Sequence, residues 1–87
     1  MACTEADWLR WLPPAVGSHR LDIRGATARV EIGAGQLHLR WAALPPRRIA
    51  LVSLPRLQVG FVFENLDEPA RAAFMRRFDL YLHRGGG

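Results

Sequence analysis

Two Gly-Ala pairs eight positions apart, Gly25-Ala26 and Gly33-Ala34, each interrupt a run of alternating polar and apolar residues, and they constrain this chain more than any other feature. Leu21 and Ile23 alternate with Arg20, Asp22 and Arg24, and Ala28, Val30 and Ile32 alternate with Arg29 and Glu31, so the period is that of strands. Glycine at the first position of a two-residue connection is what a type II′ hairpin turn requires. With Gly25-Ala26 as that turn, Leu21 falls opposite Val30 and Ile23 opposite Ala28 on one face. Asp22 then meets Arg29, and Arg20 meets Glu31, on the other. Both faces agree, and a slip of one residue would invert every side chain. Gly33-Ala34 repeats the device and sets Val30 opposite Leu37, Ala28 opposite Leu39 and Arg29 opposite His38.

The remaining segments complete an α+β fold. Thr4 caps a short helix, with Asp7 three residues on and Cys3 and Trp8 as a hydrophobic staple, and Pro13-Pro14 is expected to stop it. A third strand covers Gly35–Trp41, and Ala42–Arg48, with Pro45-Pro46, reads as a long connection. Ile49–Ser53 and Leu57–Glu64 read as strands four and five around a turn at Leu54-Pro55. Apolar residues on both faces of these two strands predict cover on both sides. Asp67 caps a last helix, reaching about His83, whose expected core stripe is Ala70, Phe74, Phe78 and Tyr81, flanked by Met75 and Leu82. The expectation is a five-stranded antiparallel meander, open or partly closed as a barrel, with a helix at either end. It occupies residues 1–87 as one domain: 1–17 the first helix and its stop, 18–64 the meander, 67–83 the last helix and 84–87 a flexible tail. A chain of this length has room for only one core.

Composition narrows the function classes. A single cysteine, Cys3, builds neither an internal disulfide nor a cysteine metal site. His19, His38 and His83 lack zinc-site spacing, and the register sends His19 and His38 to opposite faces. Ser18, Ser53 and Cys3 have no paired base, and Asp22 and Glu31 are each matched by an arginine, so no catalytic residue, cofactor or metal is expected. No apolar run approaches the length of a membrane span and no leader pattern is visible, which predicts a cytoplasmic chain. The net charge is +4 and all twelve basic residues are arginine. An arginine-only bias suits a GC-rich genome, so the charge by itself does not indicate nucleic acid.

Two surfaces stand out. Arg20, Arg24, Arg29 and Arg40 share the polar face of the hairpins, interrupted by acids and without an aromatic for base stacking. Trp8 and Trp11, with Arg77, Leu80 and Arg84 on the flank of the last helix, form a candidate contact for a protein partner or a second copy. The expected function is that of a non-enzymatic binding or interaction domain. The alternative is a module that uses its arginines for a nucleotide second messenger or nucleic acid.

Val59-Gly60-Phe61-Val62-Phe63, then Leu66-Asp67 and an amphipathic helix, resembles the closing strand and helix of PilZ domains, over residues 57–82. That resemblance implies a barrel and a cyclic di-GMP site. Arg20 and Arg24 have the spacing of the family's R-x-x-x-R motif, whereas Glu31-Ile32-Gly33-Ala34-Gly35 lacks the serine and spacing of its second motif. The resemblance therefore implies a barrel that has lost the ligand.

Overall fold

The two Gly-Ala turns form as the alternation requires. In the computed structural model, which describes residues 1–86 and side chains as far as Leu82, β1 (Arg20–Arg24) pairs with β2 (Thr27–Ile32), Leu21 opposite Val30 and Ile23 opposite Ala28. β2 pairs with β3 (Gly35–Ile49), Val30 opposite Leu37 and Ala28 opposite Leu39. Gly25 and Gly33 both take φ of 58°, while Ala26 and Ala34 do not enter the positive region, the combination a type II′ turn demands.

The sheet has four strands rather than five, in the order β1-β2-β3-β4, all antiparallel. β3 does not end at Trp41. It continues through Pro45-Pro46 to Ile49, turns at Ala50-Leu51, and returns as β4 (Val52–Glu64). The prolines misled the sequence reading because they sit where no ladder bond is needed. Leu44 pairs with Arg56 and Arg47 with Leu54, so Pro45 and Pro46 together oppose Pro55 alone, a bulge with three residues that need not donate. Ile49–Ser53 therefore straddles a turn, and Leu54-Pro55 lies within a strand. β1 and β4 are the edges of an open sheet, so the barrel expectation is also corrected.

α1 (Glu5–Val16) begins with the predicted capping box, Thr4 Oγ1 accepting from Asp7 N at 3.1 Å. It runs through Pro13 and Pro14 instead of stopping there. Proline forfeits a helical bond, but here the turn that follows is held by burial, with Ala15 and Val16 almost wholly enclosed. α2 (Glu68–Gly86) passes the expected end at His83, and Gly87 of the expected tail lies outside the described residues.

Both helices pack on one face of the sheet. Trp8 meets Trp41 of β3 and Phe78 of α2 edge to face, and Phe78 in turn meets Phe61 of β4 and stacks on Phe74. Around this aromatic centre lie Leu12, Val30, Leu37, Leu39 and Leu57. α2 turns Phe74 and Phe78 inward with Met75 and Leu82 half-buried beside them, while Tyr81 is exposed. The stripe thus continues by steps of four from Phe78 to Leu82, not to Tyr81. Trp41 Nε1 donates to Glu5 Oε2 at 3.0 Å, tying the start of α1 to the sheet.

Cys3 is buried beside this core. Burial raises its thiol pKa, the nearby N-terminal ammonium opposes the shift, and Asp7 adds to it. A folded pKa above the unfolded one contributes stability below the ordinary thiol range, lost as pH climbs towards the folded value. Unfolding free energy is expected to fall more steeply above that range than in a Cys3→Ala variant. Parallel curves in urea titrations of the two proteins would remove Cys3 as the cause.

The β3–β4 hairpin outruns the rest of the sheet. β2 covers β3 only as far as Arg40, and beyond Leu57 every residue from Pro45 to Arg56 is exposed. This two-stranded arm spans roughly 25 Å at the usual rise per strand residue and accounts for principal extents of 47 × 25 × 20 Å. Its tip is unfavourable locally, since Ala50 holds φ of 54°, where an L side chain is strained. Ala50→Gly is expected to slow amide exchange in the arm by relieving about 1 kcal/mol, with the core amides unchanged; unaltered exchange across residues 47–54 would show the tip is unstrained.

Candidate functional site on the outer face of the sheet

The sheet face opposite the helices carries the polar half of each alternation: Asp22 from β1, Arg29 from β2, His38 and Arg40 from β3, and Gly60 and Val62 from β4. The register aligns Arg29 with His38, His38 with Val62 and Arg40 with Gly60. Gly60, on the edge strand opposite Arg40, supplies no side chain to this face, and the twisted strands leave an open trough of about 690 Å³ lined in part by it. Arg24, Thr27, Arg29, His38 and Arg40 line it with Asp22 and Val62.

Charge is not balanced in this trough. The register sets Asp22 opposite Arg29 as expected, but the carboxylate pairs with Arg24 of its own strand, Nε to Oδ2 at 3.3 Å. Arg29 and Arg40 have no ion-pair partner among the described residues. His38 Nε2 lies 3.2 Å from Glu64 Oε1, although their alignment gives no hydrogen bond, and Gln36 Nε2 donates to the other oxygen of Glu64 at 3.1 Å. A trough with three guanidinium groups, two of them unneutralised, is suited to an anion with several acceptor oxygens.

The predicted surfaces fare differently. Of the basic set, Arg24, Arg29 and Arg40 converge on the trough, whereas Arg20 lies outside its lining, exposed at the start of β1. The tryptophan surface is not assembled. Trp8 is wholly buried in the core, covering the same sheet face as α2, and Trp11 is half-buried against it. Trp8 Nε1 has no hydrogen-bond partner, and its ring is enclosed by Trp41 and Phe78. Arg77 is exposed overall, yet its guanidinium lies close over Gly17 just past the end of α1, where positive charge complements that helix's C-terminal carbonyls. Leu80 is exposed beside Tyr81, and the Arg84 side chain lies outside the described residues. His19 packs against Phe74 on the helical side, opposite to His38.

The arm is a further exposed surface, outside both surfaces expected from the sequence. Its residues Arg47, Arg48 and Arg56 are exposed, as are Ile49, Leu51, Val52 and Leu54. One signal was available: residues 32–63 contain no Asp or Glu, although acids occur on both sides at Glu31 and Glu64.

No protein-family model, curated protein or solved structure matches the chain. None of the described helices is long and apolar enough to cross a membrane, and no group of three or more histidine, cysteine or carboxylate side chains is placed to hold a metal among the described residues.

Proposed function

We propose that this chain is a non-enzymatic binding domain whose outer sheet face takes a ligand bearing several negatively charged oxygens. One observation carries the reading: Arg24, Arg29 and Arg40 line a single open trough in which only Arg24 has an acidic partner. A phosphate or carboxylate there exchanges solvent for charge-assisted hydrogen bonds, each contributing about 1.5–3 kcal/mol. Thr27 lies at the rim with its hydroxyl donated to Arg24 O at 2.8 Å, and exposed Val62 offers apolar contact to the non-ionic part of the ligand. A phosphodiester such as a cyclic dinucleotide or a short oligonucleotide has this chemistry. The site has no Phe, Tyr or Trp in its lining and only the His38 imidazole as a ring for stacking, so phosphate recognition would dominate and selectivity among bases would be low.

The reading is tested by NMR titration with inorganic pyrophosphate, cyclic di-GMP and a short single-stranded RNA. The expected result is a set of shifts confined to Arg24, Thr27, Arg29, His38, Arg40 and Gly60. Arg29→Ala and Arg40→Ala should each weaken binding at least about tenfold, the loss of one charge-assisted bond, while leaving the fold intact because both side chains are exposed. Shifts elsewhere, or none with any of the three, would remove the trough as the ligand site.

A further inference from the structure

The arm presents a different chemistry from the trough, and the question it raises does not depend on the reading of that trough. Four aliphatic side chains crowd its end: Ile49, Val52 and Leu54 are 51%, 55% and 40% exposed, and Leu51 is fully exposed. Arg47 and Arg48 lead into Ile49 on β3, Arg47 directly opposite Leu54 and Arg48 opposite Ser53, and Arg56 follows Leu54 by two residues on β4. No carboxylate accompanies them in residues 32–63.

Nothing in the fold accounts for this end. Its aliphatic groups support no core, the strained turn residue Ala50 replaces the glycine used at the other two hairpins, and every side chain of 45–56 faces water. Local choices that work against folding mark functional or strained places in a chain. A bare apolar tip lowers solubility, and an exposed apolar patch of this kind marks a place where an occupant removes it from water.

The occupant is constrained by charge. Arms from two copies meeting tip to tip would bring together six arginines with no acid among them, which opposes self-association. Duplex DNA would satisfy the arginines and take one apolar wedge at a kinked base step, but it leaves the rest of the four exposed aliphatic side chains in water. A bilayer with anionic headgroups satisfies both halves: aliphatic side chains enter the boundary between headgroups and acyl chains, and the arginines behind them reach lipid phosphates. We propose that the β3–β4 arm is a membrane-surface anchor that inserts Ile49, Leu51, Val52 and Leu54 into an anionic leaflet, with Arg47, Arg48 and Arg56 on the headgroups.

The test uses the full chain with vesicles of phosphatidylcholine alone and of phosphatidylcholine with about one-third phosphatidylglycerol, alongside a 20-base-pair DNA duplex. Sedimentation with the anionic vesicles, weakened by added salt and absent from the neutral ones, is expected. Each of Arg47→Gln, Arg48→Gln and Arg56→Gln should reduce partition about fivefold, the usual contribution of one basic residue near such a surface. Leu51→Asp with Val52→Asp should reduce it more than tenfold without lowering the melting temperature. Arg71→Gln, exposed on α2 and part of neither the arm nor the trough, should leave it unchanged. Amides 47–54 should gain exchange protection only with anionic vesicles. Equal partition of the double aspartate variant would overturn insertion, and duplex binding without vesicle binding would assign the arm to nucleic acid instead. A dimer dissolved by Leu51→Asp, again without vesicle binding, would make the tip a contact between copies and equally overturn the proposal.

Discussion

Phe78→Ala is expected to leave the domain barely folded at room temperature, lowering its unfolding free energy by about 3–5 kcal/mol. Phe78 is wholly buried and is the point where the three parts of the fold meet. Its ring is 6.0 Å from Trp8 of α1, 5.7 Å from Phe61 of β4 and 5.7 Å from Phe74 one turn back in α2. Removing it opens a cavity bounded by other large rings held by both helices and the sheet, so the site has little means of collapsing. Domains of this size carry about 4–13 kcal/mol in all, and the change is therefore a large share of the total. In thermal melts the shift should exceed about 12 °C, taking roughly 4–8 °C per kcal/mol for a domain this small. Leu80→Ala, two residues on and 52% exposed, is the control and should stay within about 0.5 kcal/mol. A Phe78→Ala protein that melts with the wild type would mean that α2 is peripheral to the core.

Much of this core could be read from the chain, and the reason is periodicity constrained by turns. The II′ glycines fix where each of the first two hairpins reverses, and once the turn is fixed the alternation leaves one register in which Leu21, Ala28, Val30, Leu37 and Leu39 share a face. Phe74 and Phe78 follow in the same way from helical spacing. The failures come from residues whose usual meaning was overridden by tertiary context. Pro45, Pro46 and Pro55 usually end strands, but opposed across a bulge they leave no broken ladder bond, so one long hairpin looked like a connection and two short strands. Pro13 and Pro14 usually end helices, but Ala15 and Val16 bury the turn after them.

The site was legible only in part, because a sequence gives facing but not partnership. Facing assigned Arg24, Arg29 and Arg40 to one surface. It also suggested that Asp22 neutralises Arg29, whereas the carboxylate turns along its own strand to Arg24, and this decides that Arg29 is free for a ligand. The apolar excess around Ile49 is equally visible, and its two-sided pattern is the one buried strands show. A two-stranded arm projecting from a sheet shows the same pattern when both its faces meet something other than the chain itself. Pattern alone does not separate these cases; the absence of acids from 32–63 does favour an anionic neighbour.

Gly35→Ala is expected to cost about 3 kcal/mol, though it adds only one methyl group. β3 starts at Gly35, which is buried where the end of β4 turns towards α2. A Cβ at Gly35 would lie 2.4 Å from Asn65 O, 2.6 Å from Glu64 O and 2.6 Å from Leu66 Cγ. Two of these three atoms are backbone, so no rotamer change relieves the overlap, and one strand end has to move. That movement is resisted locally. Asn65 sits at φ of 55°, its Nδ2 donates to Ala34 O at 3.0 Å, and Gln36 reaches across to Glu64. Overpacking a rigid site costs about 1–3 kcal/mol and more where the backbone must shift, and the upper end is expected here. The tight II′ turn at Gly33-Ala34 prevents β3 from sliding away without disturbing the Ile32–Gly35 pair. Urea unfolding of Gly35→Ala should show a midpoint drop of at least half that of Phe78→Ala. Asn65→Gly, which keeps the turn's backbone freedom but loses the Ala34 bond, should cost no more than about 1 kcal/mol. If Gly35→Ala proves as mild as Asn65→Gly, the β3 and β4 ends are not packed backbone to backbone, and the start of α2 is held by Leu66 and Phe74 instead.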